Sequence, residues 1–259
     1  MPFFTFEAFS TCFLLLFFAT KAAAARDIRN VKAESSPVSA ILIFGDSTAD
    51  PGNNNYIATP FRSNFSPYGK DFVNQTPTGR FTNGRLANDF IECGLPVGAA
   101  GHFKEYRAKL EAGIGKDKTK ELIKNALFLV SAGTNDFVVN YFTIPIRRYN
   151  YTIPSYMNFV LQEALQLLQI KSSGARIAYI DIYGPLEAMT SGRKYGFEEV
   201  STGCCGTGML EASFMCNPKS AVCADATKYV FWDSIHPTEK SYELLFQAFR
   251  PVIDALVKN

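Results

Sequence analysis

Residues 40–47 read Ala-Ile-Leu-Ile-Phe-Gly-Asp-Ser, and this stretch decides the fold. Its first five residues are apolar, and Gly45 ends the run. A short, unbroken apolar run of this kind predicts a strand that is buried on both faces, as in parallel sheets. Asp46 and Ser47 follow at the carboxyl end of that strand, which is the edge where open α/β sheets bind their ligands.

The same pattern recurs further along the chain. A second apolar run, Ala126–Ser131, is followed by Gly133-Thr-Asn-Asp136, and a short extended piece, Lys228–Trp232, is followed by Asp233-Ser-Ile-His236. Ile177–Ile180 predicts another strand. Polar groups after several parallel strands are expected to converge on one crevice.

Helical patterns alternate with these strands. A terminal helix is predicted after Pro237 and Thr238, because Tyr242, Leu245, Phe246 and Phe249 fall on one face. Strands that alternate with helices indicate a single α/β domain with a mainly parallel sheet over residues 40–259. Residues 50–85 are rich in Gly, Pro, Asn and Thr, which predicts a long ordered loop. The other predicted helices cover Leu86–Glu92, Phe103–Leu110, Thr119–Asn125 and Tyr156–Lys171.

The composition excludes several classes of protein. The chain has 259 residues, of which 47% are hydrophobic and 19% charged, so it is not a disordered chain. Its formal net charge is +2 and it has no long Lys/Arg cluster, so we expect no nucleic-acid partner. No apolar run reaches the length of about 20 residues that spans a bilayer.

The N-terminal residues 1–25 predict a signal peptide. An apolar block, Cys12–Ala19, precedes small residues that suit cleavage near Ala24 or Ala25, although Glu7 is atypical of such a leader and no basic residue precedes the block. A retained membrane anchor is the alternative, for which the block is short. Residues 26–39 are predicted to be a linker. After cleavage we expect a secreted protein without stable membrane insertion.

The cysteines agree with an oxidising compartment. Four of them, Cys204, Cys205, Cys216 and Cys223, lie within 20 residues, and Cys93 stands alone. Their spacing does not fit the paired ligands of zinc sites, so it predicts disulfides whose connectivity stays open. Glycosylation acceptor sequences, typical of secreted proteins, occur at Asn64, Asn74 and Asn150.

The residues after the strands suit nucleophilic catalysis. A serine hydroxyl needs a base, and the chain has two histidines, His102 and His236. We favour His236, because Asp233 precedes it by three residues and can orient its ring, whereas His102 has no such acid. Each residue also has a purely structural alternative. In these alternatives Ser47 caps a helix, His236 packs in the core or caps a helix, and Asn135 only forms a turn.

Two other serine-containing motifs do not fit. The nucleophile elbow of α/β-hydrolases needs a glycine where Ala49 stands, and its acid lies far upstream of its histidine. A phosphate-binding loop would need a Gly-Lys-Ser/Thr sequence that is absent.

Seven stretches of the chain carry motifs: Phe44–Asn55, Pro67-Tyr-Gly-Lys-Asp-Phe72, Pro77–Arg85, Gly133-Thr-Asn-Asp136, Tyr195-Gly-Phe197, Cys204-Cys-Gly-Thr-Gly208 and Phe231-Trp-Asp-Ser-Ile-His-Pro-Thr238. These motifs resemble those of the plant GDSL esterases/lipases of the SGNH hydrolase superfamily, and the resemblance covers most of residues 40–250. Thr48 replaces the leucine for which the family is named.

The resemblance implies a function and a set of catalytic residues. Ser47 would be the nucleophile, His236 the base, Asp233 its orienting acid and Asn135 an oxyanion donor. It also implies a three-layer α/β/α, flavodoxin-like fold and hydrolysis of acyl esters without a metal or cofactor. The expected substrates are small acyl esters or lipid-like compounds, and the expected location is the cell wall or apoplast.

The sequence departs from the family at two places. The block that supplies an oxyanion glycine is missing, and Gly98 and Gly101 are the candidates to replace it. A strand-helix unit is also missing within Leu161–Ile170, which predicts that the sheet loses an interior strand and that the neighbouring strands either pair with each other or leave edges open. A shortened splice form and a flawed gene model would both give such a chain. The rival hypotheses are therefore a catalytically impaired binding protein of the same fold and, less favoured, a disulfide-stapled wall protein.

Overall fold

The computed structural model describes residues 38–91, 97–99, 103–133, 135–136, 141, 147–159, 165–166, 169–170, 176–191 and 195–258. The predicted signal peptide and nearly all of the predicted linker lie outside these residues, as does part of the predicted helix Tyr156–Lys171. The strands are β1 Ile41–Phe44, β2 Val97–Ala99, β3 Leu127–Val130, β4 Glu199–Gly203 and β5 Tyr229–Phe231. The helices are α1 Ala87–Ile91, α2 Phe103–Ile114, α3 Lys116–Lys124, α4 Ile153–Met157, α5 Tyr183–Thr190 and α6 Glu239–Lys258.

A parallel sheet with the order β2-β1-β3 forms the centre of the fold. β1 pairs with β3 from Ile41 opposite Leu127 to Phe44 opposite Val130. β1 is the central strand, and Ile41 and Leu42 are completely buried, one on each face. The first two predicted strands are confirmed, and so is their parallel pairing.

Helices cover both faces of this sheet. On one face Ile41 and Leu127 pack against Leu256 and Val257 of α6. On the other face the ring of Phe103, at the start of α2, contacts Phe44 and Phe128 edge-on. The fold is therefore the predicted three-layer α/β/α arrangement.

A smaller parallel pair, β4 and β5, carries the C-terminal part of the site. β5 confirms the extended piece predicted at Lys228–Trp232. β4 was not predicted, because Glu-Val-Ser-Thr-Gly contains a single large apolar residue and no strand pattern. Val230 of β5 is fully buried against Leu245 and Phe249 of α6, as the predicted apolar face of that helix requires.

The strand predicted at Ile177–Ile180 is wrong. Residues 176–181 form no strand, and the Ile177 N–H donates to the Gln169 side-chain oxygen instead of to a neighbouring strand. A strand needs a partner beside it, and the described part of the chain supplies none there. In the same described part, β3 pairs with β1 alone, and Val130 is 70% exposed.

Within the described ranges, no helix has the length and apolar character needed to cross a membrane.

Candidate active site

A tight turn after β1 presents Ser47. The Asp46 carboxylate accepts hydrogen bonds from the backbone N–H and the hydroxyl of Thr48, at 2.9 and 2.7 Å, which closes the turn around the serine. The turn lies directly against β3, since a Cβ on Gly45 would meet the Cβ of Ser131 at 2.9 Å. A glycine is therefore required between the strand and the serine.

Ser47, His236 and Asp233 form one hydrogen-bonded line. The Ser47 hydroxyl lies 2.8 Å from His236 Nε2, and His236 Nδ1 lies 2.8 and 2.9 Å from the two oxygens of Asp233. A carboxylate only accepts, so Nδ1 donates to it. In the neutral imidazole Nε2 then carries the free lone pair and accepts from the serine, which is the arrangement of a serine nucleophile with its base.

The Asp233–His236 segment is a closed turn that fixes both side chains. The backbone N–H groups of Ile235 and His236 donate to Asp233 Oδ1 at 2.9 and 2.8 Å, and the Trp232 N–H donates to the His236 carbonyl at 2.7 Å. Phe81 stacks on the imidazole with 4.9 Å between ring centroids. The side chain of Asp233 is completely buried and that of His236 is nearly so, which holds the ring in one orientation.

Tyr68 makes a contact with the acid that the sequence analysis did not anticipate. Its hydroxyl donates to Asp233 Oδ2 at 2.7 Å and accepts from the Ser213 N–H at 2.8 Å. Burial, and then the nearby Asp233 carboxylate, raise the pKa of Tyr68 far above its ordinary value, so the phenol keeps its proton. The Pro67–Phe72 motif contains this tyrosine, but a separation of 165 residues from Asp233 gives no pattern that links the two.

Disulfides brace the loops behind the acid, and the prediction of disulfides in this segment is confirmed. The bridges join Cys204 to Cys223 and Cys205 to Cys216. The Cys204 and Cys205 N–H groups donate to the carbonyls of Phe231 and Trp232, which extends the β4–β5 pairing up to Asp233. Gly203 has no room for a side chain, because a Cβ there would lie 2.5 Å from the Asp233 carbonyl oxygen.

Asn135 lies after β3, beside the serine turn. Its side-chain nitrogen is 3.5 Å from the Asp46 carboxylate, and the residue is exposed. Ser47 and Asn135 thus lie at the same edge of the three-stranded sheet, whereas Asp233 and His236 follow β5 of the separate two-stranded sheet and reach Ser47 through the His236 ring. Gly98 pairs with Leu42 within the sheet, several residues below Ser47, which argues against it as the replacement oxyanion glycine. Gly101 and the alternative base His102 lie outside the described residues.

Two clefts lie away from this edge. One, of about 480 Å³, has a mainly apolar lining from residues 176–178 and 251–256, and the other, of about 570 Å³, is lined by Tyr141, residues 153–157 and residues 181–187. Neither includes Ser47 or His236. In the described residues no group of three or more His, Cys, Asp or Glu side chains is placed to hold a metal ion.

Comparison with known proteins identifies the family of the chain. The family model described as GDSL-like lipase/acylhydrolase matches residues 143–249. A relative from Arabidopsis thaliana, GDSL esterase/lipase At5g45960, is 40% identical to this chain over an alignment that covers 85% of the chain and 88% of the relative. The chain belongs to the GDSL esterase/lipase family. It is accordingly a hydrolase of the GDSL type, in the class of carboxylic ester hydrolases.

This GDSL chain is shorter than its relatives. The alignment with At5g45960 runs over 328 positions, which exceeds the 259 residues of this chain. GDSL esterase/lipase APG of Arabidopsis thaliana is 32% identical over 316 positions, covering 82% of the chain and 90% of the relative. Both relatives therefore hold stretches that this chain lacks.

Proposed function

We propose that the protein is a secreted serine esterase that hydrolyses carboxylic esters through Ser47, His236 and Asp233. The observation that carries the proposal is the pair of contacts at His236: Nε2 at 2.8 Å from the Ser47 hydroxyl and Nδ1 at 2.8 Å from Asp233. A capping or packing histidine would not need both nitrogens engaged in this order. Family membership supports the same reaction class.

The reaction proceeds by two acyl transfers. Ser47 Oγ bonds to the ester carbonyl carbon while its proton passes to His236 Nε2. The C–O bond to the alcohol then breaks, and His236 gives the proton to the departing oxygen. Water attacks the acyl-enzyme, loses its proton to His236, and releases the carboxylic acid as Ser47 regains a proton. Asp233 holds the ring in the required tautomer and stabilises the imidazolium throughout.

The developing oxyanion needs hydrogen-bond donors beside Ser47. The Asn135 amide and the Ser47 N–H are the donors we assign, because Ser47 lies in the turn after β1 and Asn135 follows the neighbouring strand β3 at the same edge. Loss of one such donor typically costs about 10²–10³ in kcat. We therefore expect Asn135→Ala to lower kcat by this order.

The substrate class follows from the reaction and from the family. We propose small acyl esters or lipid-like esters, with no nucleic-acid partner. Secretion is supported by the two disulfides, which persist in oxidising compartments, and by the N-terminal apolar block. The acceptor residues Asn64, Asn74 and Asn150 are all exposed, which is compatible with glycosylation outside the cell.

A second candidate is a GDSL-like protein that binds an ester or a partner without turning it over. The observation in its favour is that Gly98, the candidate replacement for the oxyanion glycine within the described residues, lies in the sheet beside Leu42. An incomplete oxyanion hole would slow acyl transfer while leaving the line of Ser47, His236 and Asp233 intact.

Hydrolysis of a short p-nitrophenyl ester by the purified chain tests the proposal. We expect activity in the wild type and loss to background in Ser47→Ala. Ser201→Ala is the matched control, since this exposed serine of β4 bonds to Glu199 and takes no part in the proposed catalytic line; its activity should stay within about threefold of the wild type. A folded wild type that is no more active than Ser47→Ala would favour the binding protein.

A further inference from the structure

The contact between Tyr68 and Asp233 extends the catalytic line on the side away from Ser47. Tyr68 is 1% exposed, and its ring packs edge-on against Phe65, Phe81 and Trp232. Phe81 in turn stacks on the imidazole of His236. The phenol is therefore held rigidly among the same aromatic side chains that hold the base.

The hydroxyl of Tyr68 has one geometry that satisfies both of its partners. It donates to Asp233 Oδ2 and accepts from the Ser213 N–H. These two roles cannot be swapped, because a carboxylate only accepts and a backbone N–H only donates. Asp233 Oδ1 already accepts from two backbone N–H groups. Tyr68 donates to Asp233 from outside the Asp233–His236 turn. Its hydrogen bond thus fixes the rotation of the Asp233 carboxylate about the Cβ–Cγ bond.

Ser213 is itself locked in place. Its backbone has a φ of 52°, in the left-handed region that non-glycine residues rarely adopt. Its hydroxyl donates to the carbonyls of Pro60 and Arg62, at 3.2 and 2.8 Å. It also lies between Cys205 and Cys216, which are joined by a disulfide. A strained backbone held by this many contacts is typical of a functional position.

We propose that Tyr68 is a positioning residue that orients the Asp233 carboxylate toward His236 and is itself held by Ser213 of the disulfide-closed loop. This inference rests on the proposed esterase function. It adds Tyr68 to the hydrogen-bonded line of Ser47, His236 and Asp233, at the end next to Asp233. The phenol acts through Asp233 and does not touch the substrate. Its hydrogen bond also draws negative charge away from the carboxylate.

Tyr242 supplies a matched control for Tyr68. It is also a buried tyrosine, its hydroxyl has no hydrogen-bond partner among the described residues, and its pKa is raised by burial and by the nearby carboxylates of Asp46 and Asp233. In the described part of the chain, the titratable groups that interact with Asp233 include His236, Tyr68 and Tyr242. The Lys70 side chain lies over the ring of Trp232, which precedes Asp233. Tyr242→Phe removes a phenol hydroxyl near the acid without breaking a hydrogen bond.

The experiment compares Tyr68→Phe and Tyr242→Phe with the wild type on a p-nitrophenyl ester. A fluorophosphonate probe counts active sites, so that kcat is expressed per labelled serine. For Tyr68→Phe we expect kcat to fall at least about tenfold, because the Asp233 carboxylate loses the hydrogen bond that orients it. KM should stay within about twofold of the wild-type value. The acid limb of the pH profile should move to higher pH, since a carboxylate without the phenol stabilises the imidazolium more strongly.

A purely structural role predicts a different result. It would reduce the number of labelled sites and leave kcat per site and the pH profile unchanged. That outcome, or an equal change in Tyr242→Phe, would overturn the proposal. A wild type that is neither active nor labelled would instead overturn the esterase function.

A measurement on the wild type covers the case in which Tyr68→Phe does not fold. Tyr68 Oη and His236 Nδ1 both donate to Asp233 Oδ2, so their two hydrogens lie close together. Proton NMR should show a cross-peak between the Tyr68 hydroxyl proton and the His236 Nδ1 proton, both protected from exchange by burial. Assigned resonances without that cross-peak would contradict the positioning role.

Discussion

Two regions of this molecule differ in how firmly they are held. The bridged region, residues 199–238, contains two disulfides, the β4–β5 pair and a continuous set of hydrogen bonds that ends at His236. The open edge is the side of β3 that faces away from β1: in the described residues β3 pairs with β1 alone, and Val130 is highly exposed. Asp233 and His236, the acid and base of the proposed site, belong to the first region, so neither lies on the open edge.

Ser47 connects the two regions. It follows β1, whose neighbour β3 forms the open edge, yet its hydroxyl contacts His236 in the bridged region. Because β1 is the central strand and is buried on both faces, the serine turn does not depend on a partner beyond β3. The comparison teaches that the serine turn keeps its contact with His236 although, in the described residues, no strand lies on the outer side of β3.

The largest expected effect comes from the acid of the bridged region. Asp233→Asn should lower kcat by about 10⁴, because an amide can leave the imidazole in the wrong tautomer. Asp225→Asn is the matched control: this exposed aspartate closes a similar turn through Thr227 and lies away from His236. Ester hydrolysis measures both variants. Similar activities in the two would show that Asp233 does not orient the base.

Removing the bridge around Ser213 should have the next largest effect. Replacing Cys205 and Cys216 together by serine opens a loop with a sequence separation of 11, and the free energy of unfolding should fall by about 3 kcal/mol. Urea denaturation measures this change. We also expect a lower kcat in the folded fraction, since Ser213 would hold Tyr68 less firmly. An unchanged stability would mean that the loop is held without its disulfide.

The same substitution in the two regions should give unequal losses of stability. Val230→Ala in β5 removes a fully buried side chain and should cost at least about 1.5 kcal/mol of unfolding free energy. Val130→Ala in β3 removes a side chain that is 70% exposed and should cost less than about 0.5 kcal/mol. Equal losses, measured by urea denaturation, would show that the edge is covered in solution.

The sequence predicted the part of the site that depends on strand ends. Ser47 and Asn135 follow the paired strands β1 and β3, whose carboxyl ends share one edge. Asp233 and His236 follow β5 of a separate two-stranded sheet, so their prediction rested on the extended piece before them and not on a shared sheet. The disulfide pairing and the contact of Tyr68 with Asp233 were beyond prediction, because both depend on how distant loops pack. The strand at Ile177–Ile180 was predicted wrongly for a related reason. Its apolar residues favour a strand, but pairing needs a neighbour that the local sequence cannot supply.

Labelling with a fluorophosphonate, followed by mapping of the modified peptide, tests the central claim most directly. The probe bonds covalently to a serine that a base has activated. We predict one adduct, on Ser47, in the wild-type chain, and no adduct in His236→Ala at the same probe concentration. An adduct on a different serine, equal labelling of His236→Ala, or a folded wild type that takes up no probe would contradict the assignment of Ser47 and His236 as nucleophile and base.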